Sequence, residues 1–169
     1  MTHVHAPRGG APVGFITELD GVEAASVIYL RLWSDGPKGK HAVRQDFENS
    51  LGKMRGQKAL ASFEDLYGLC ALHGRRPLMR HAVNCKCVGA DEACFANFIA
   101  AAATGQREDA MMIATLLVRP DFAPVITGLA RDFGLTLMRM NVHAPQTMTS
   151  ASKGQPRSDL PAQQPVTLH

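Results

Sequence analysis

Long apolar runs are missing from this sequence. The longest, Met111–Val118, is eight residues, well short of the roughly 18–20 that a membrane span needs, so a soluble protein without a membrane partner is expected. The first fifteen residues, "MTHVHAPRGGAPVGF", lack the charged and apolar regions of a secretory signal, which points to the cytoplasm. In that compartment four cysteines read as thiols or metal ligands rather than as a disulfide framework. Also missing are a Gly-rich phosphate cradle, a G-x-S-x-G elbow and an H-E-x-x-H helix, which removes the usual handles of three enzyme classes. The acidic pairs Glu64/Asp65, Asp91/Glu92 and Glu108/Asp109 are adjacent in sequence, so their side chains diverge on a helix instead of converging on one reacting atom. They read as partners of helix dipoles, and the balance leans away from an enzyme.

What is present describes a globular chain. A hydrophobic share of 46% and a charged share of 20% over 169 residues suit one domain with its own core. Residues 1–14, with two prolines, three glycines and two histidines, read as a flexible arm. Residues 15–140 carry helical periodicity in successive windows and no sustained alternation, predicting a mainly α fold, a compact bundle of five or six helices. Asp20 is placed to cap the first of these, and "SDGPKGK" reads as the loop after it. Val43, Phe47, Leu51 and Met54 draw the apolar stripe of the second helix. The third is expected to stop at Gly74 in a left-handed cap, and Met111–Val118 to lie near the centre of the bundle. Residues 141–169, rich in Pro, Ser, Thr and Gln, read as a disordered polar tail.

The one dense chemical signal is "HAVNCKCVGADEACF". His81, Cys85, Cys87 and Cys94 supply a Cys₃His donor set, in an irregular segment able to wrap an ion, with Cys94 in the first turn of the next helix. Zinc is the first expectation and an iron–sulfur cluster through Cys70, Cys85, Cys87 and Cys94 the second; Cys70 and His73, three apart on one helix face, are additional candidate ligands. Against both stands plain packing, because an unpaired cysteine is often a small buried hydrophobe.

Charge gives a second signal. From Lys38 to Lys86 there are ten basic side chains and four acidic ones, and Arg75, Arg76, Arg80 and Lys86 are the candidate contacts for a polyanion or an acidic protein partner. "GLARDFGLT" has the spacing of a helix-turn-helix turn, but the eight residues after it carry a single base, Arg139. Three functions are therefore expected to compete: a regulatory or adaptor protein stabilised by a Cys/His metal site, a weak nucleic-acid or acidic-partner binder, and a small thiol-dependent enzyme using Cys85 or Cys87.

Overall fold

Asp20 starts the helical body as its sequence predicts. Its Oδ1 accepts the Glu23 N–H at 2.8 Å while Glu23 Oε2 accepts the Asp20 N–H at 3.1 Å, a reciprocal cap that satisfies two donors at the start of α1 (Gly21–Ser34). The computed structural model describes residues 8–143. The expected loop over 34–40 shrinks to Asp35 and Gly36, because Pro37 occupies the first position of α2 (Pro37–Leu51), where a helix has no use for the missing N–H. The chain reverses at Gly52, with φ +80°, into α3 (Lys53–His73). Val43 and Phe47 are buried as the stripe predicts, but the reversal carries Met54 outward, 86% exposed.

α2 and α3 approach at the backbone. A Cβ on Gly56 would stand 2.7 Å from both the Glu48 Cα and the Phe47 carbonyl oxygen. These neighbours are main chain and cannot rotate away, so Gly56→Val is expected to destabilise the fold by about 1–3 kcal/mol through forced separation of the two helices. Thermal melting of the variant checks this.

Gly74 differs from its expected role. It is extended, at φ −59° and ψ 143°, and bridges to Val118, with Arg75 N–H donating to the Leu117 carbonyl at 3.1 Å and Arg119 N–H to that of His73 at 3.1 Å. The α3 end is thus pinned to the end of α5 (Arg107–Leu117) rather than capped by a left-handed residue.

The central helix is α4 (Ala90–Ala103), which packs against α1, α5 and α6 (Ala123–His143). Its small side chains allow close approach from several sides, with Phe95, Ala96, Phe98, Ile99, Ala101 and Ala102 all buried. α5, expected at the centre, lies at the edge. It buries Ala110, Ala114 and Leu117 while Met112 and Leu116 stand 70% and 67% exposed. α6 is continuous through "GLARDFGLT", which removes the turn of a helix-turn-helix unit; Gly134 sits inside the helix, where a Cβ would fall 2.6 Å from that of Ala103. Phe63 and Phe133 stack at 4.6 Å in the core, with Phe47 edge-on to both. The mainly α bundle of five or six helices expected from periodicity is observed, with six α-helices among the described residues.

Two short strands sit on this bundle. β1 (Pro12–Phe15) pairs antiparallel with β2 (Cys87–Gly89), in the register Gly14 to Val88 and Phe15 to Cys87. The described part of the expected arm is therefore fixed: Gly9 is buried and Ala90 N–H donates to the Ala11 carbonyl at 2.9 Å. Asn141–His143 complete α6, while residues 1–7 and 144–169 lie outside the described residues. Among the described residues no helix is long and apolar enough to cross a membrane.

Candidate thiol site

The segment from Gly74 to Lys86 has no regular structure of its own, so its backbone polar groups need partners elsewhere. A buried ion pair supplies them. Arg31 on α1 and Glu92 on α4 meet with Nε to Oε1 at 2.7 Å and Nη2 to Oε2 at 2.7 Å, both side chains 0% exposed. The remaining capacity of this bidentate pair is spent on the loop. Arg31 donates to the carbonyls of Cys85 at 2.7 Å and Cys87 at 2.6 Å, and Glu92 accepts from the N–H groups of His81 and Gly89, each at 2.9 Å. Burial favours the neutral form of Glu92, but the hydrogen bonds from Arg31, Gly89 and His81 outweigh it and hold the carboxyl below the usual range.

A second clamp lies beside the first. Arg76 grips Asp91 with both terminal nitrogens at 2.5 Å, and the same carboxylate accepts the Met79 N–H at 2.8 Å. Gly9 lies against this pair without room for a side chain, since a Cβ would overlap the Asp91 carboxylate. The N-terminal segment is thereby seated over the loop.

Between the clamps, His81 holds Cys85. His81 Nε2 lies 2.8 Å from the Gly10 carbonyl oxygen, and its Nδ1 lies 3.3 Å from Cys85 Sγ. A carbonyl only accepts, so Nε2 carries a hydrogen, and Nδ1 is left either to take the thiol proton or to donate to a thiolate. Charge follows geometry: the hydrogen bond to Cys85, then that to Gly10, raise the His81 pKa, while those from His81 and from the Cys87 N–H lower that of Cys85. Cys87 is shifted the other way, upward, by burial and by the neighbouring Cys85 charge. Cys85, a histidine in contact with its sulfur, and a carbonyl that fixes the far nitrogen of that histidine thus stand in line.

The other predicted residues fall elsewhere. Cys94 lines a groove with Asp20, Glu23 and Asp109 at the junction of α1, α4 and α5, its thiol pKa raised by burial. Cys70 is a core residue whose pKa burial pushes up to about 12, and His73 stacks on Phe122 with ring centroids 3.6 Å apart. The structure thus brings His81, Cys85 and Cys87 together and leaves Cys70, His73 and Cys94 apart. Among the described residues no three His, Cys, Asp or Glu side chains are grouped to hold a metal ion. The four basic candidates are all exposed; Arg75 donates to the Thr115 carbonyl at 2.5 Å, Arg80 to the Leu78 carbonyl at 3.1 Å, and Arg76 is committed to Asp91.

Sequence reasoning missed Arg31, Glu92 and Gly10. A signal existed for the first: Arg31 interrupts the apolar run from Ile28 to Trp33, and a charge amid buried neighbours needs a buried partner. No family model matches the chain, and no curated protein or solved structure matches it.

Proposed function

We propose that the chain is a thiol–disulfide exchange protein in which Cys85 is the attacking thiolate and Cys87 the resolving thiol. The observation that carries this is the 3.3 Å contact of Cys85 Sγ with a histidine whose far nitrogen is fixed by the Gly10 carbonyl. Cys85 and Cys87 are two residues apart, a span of at most about 7 Å, near the upper limit for a disulfide.

Cys85 thiolate attacks one sulfur of a substrate disulfide, forming a mixed disulfide, and the departing thiolate takes the proton of the His81 imidazolium. Cys87 then passes its proton to His81 and attacks the Cys85 sulfur; the Cys85–Cys87 disulfide forms, and the second substrate thiolate leaves with that proton. One disulfide is reduced to two thiols and one dithiol is oxidised.

Oxidised glutathione tests the scheme. Wild-type protein is expected to lose two hydrogens, with the disulfide mapped to Cys85 and Cys87, while Cys87→Ser traps glutathione on Cys85 and Cys85→Ser does neither. Mass spectrometry reads all three, and an untrapped Cys87→Ser protein would sink the assignment.

A further inference from the structure

α1, α3, α4 and the loop after α3 leave a small pocket of about 120 Å³, with Leu30, Ala71, Pro77, Leu78, Arg80 and Phe95 in its walls. Its size is near that of cavities that accept a single benzene ring. The Cys70 thiol also faces it but is no nucleophile, because burial keeps it protonated. Arg80 is exposed, and its Nη1 donates to the Leu78 carbonyl at 3.1 Å, which holds the guanidinium near the pocket wall.

A second cleft, of about 220 Å³, shares Arg80 with the first and runs along Ala82 and Val83, with Arg31, His81 and one carboxylate, Asp35, in its walls. The two adjoin at another point as well: Tyr67 of the first pocket is 3.1 Å from Ser34 of the second, hydroxyl to hydroxyl. The recess and the cleft that reaches His81 therefore share one cation, Arg80.

We propose that this recess is the substrate pocket of the thiol site, taking a ring-sized apolar group, with Arg80 binding a carboxylate on the same molecule and the disulfide of that molecule lying along the cleft toward His81 and Cys85. The proposal rests on the thiol–disulfide reading for the reaction and on the pocket for the ligand class. A guanidinium matches a carboxylate with two parallel N–H donors, which a point charge does not.

Two probes separate the parts. Benzoate, which cannot react, is expected to bind wild-type protein, and its Kd is expected to rise about tenfold in Arg80→Gln, the loss of one charge-assisted contact. The Kd is also expected to rise in Ala71→Leu, where an exposed helix position gains a side chain able to fill the recess. In the reaction arm, the rate at Cys85 is followed by mass spectrometry with 5,5′-dithiobis(2-nitrobenzoate), an anionic aryl disulfide, and with cystamine, a cationic one. Arg80→Gln is expected to slow the first about tenfold and not to slow the second, which the guanidinium repels. Equal benzoate affinity in wild type and Ala71→Leu, or equal slowing of both disulfides by Arg80→Gln, overturns the pocket while the thiol chemistry stands. Benzoate binding with no reaction of Cys85 toward either disulfide overturns the thiol reading instead, and with it the substrate assignment.

Discussion

Glu92→Ala is expected to lower stability by about 3–5 kcal/mol, because it leaves Arg31 as an uncompensated buried charge. For a domain of this size that is a fall in melting temperature on the order of 10–20 °C. Two further groups lose their acceptor in the same variant, the N–H groups of His81 and Gly89. The double variant Arg31→Met, Glu92→Leu removes the stranded charge but orphans the Cys85 and Cys87 carbonyls as well, so it is expected to recover only part of the loss. Full recovery would show that the pair contributes no more than its volume. The wild-type protein should show the same dependence in acid. The folded-state pKa of Glu92 is below its unfolded value near 4.5, so its contribution is complete above that pH and disappears as pH falls through the lowered value. Thermal melts across that range, with Glu92→Gln as the insensitive control, check the sign.

His81→Ala is expected to cut the rate of disulfide exchange at neutral pH by about a hundredfold, the usual cost of losing a positioned acid–base group. Two separate losses combine. Without the imidazolium hydrogen bond, less Cys85 is thiolate at pH 7, and the departing substrate thiolate has no proton donor. Alkylation by iodoacetamide isolates the first, since its rate follows the thiolate alone. In wild type its pH profile is expected to inflect below the ordinary thiol value near 9.0, and in His81→Ala the inflection is expected to move up. An unmoved inflection would show that the Cys87 N–H, not the histidine, sets the acidity of Cys85.

Local signals carried the fold well where a single residue decides the outcome. Asp20 capped α1 because an N-cap needs only its own side chain and the next three residues. Gly74 and Met111–Val118 resisted the same treatment because their roles depend on what packs against them: the end of α5 for one, and for the other the alanines of α4, which let that helix take the centre. The site divides in the same way. His81 and Cys85 lie on one stretch of loop, so a spacing of four was informative. Cys94 lies on α4 two residues beyond Glu92, a turn of about 200° around the axis, and Glu92 is the residue that faces the loop. A helix in that phase carries Cys94 away from the other sulfurs, and no count of intervening residues reveals it without knowing which face Arg31 occupies.

The carbonyl that orients His81 belongs to Gly10, 71 residues earlier in the chain. During synthesis that carbonyl emerges long before its histidine does, and the carboxylate that fixes the histidine's backbone follows 11 residues later still. Until Glu92 has met Arg31, the His81 N–H lacks that acceptor, and Cys85 has the acidity of any thiol in an unfolded chain. Folding thus sorts the four sulfurs in opposite directions, making Cys85 more acidic and Cys70, Cys87 and Cys94 less so.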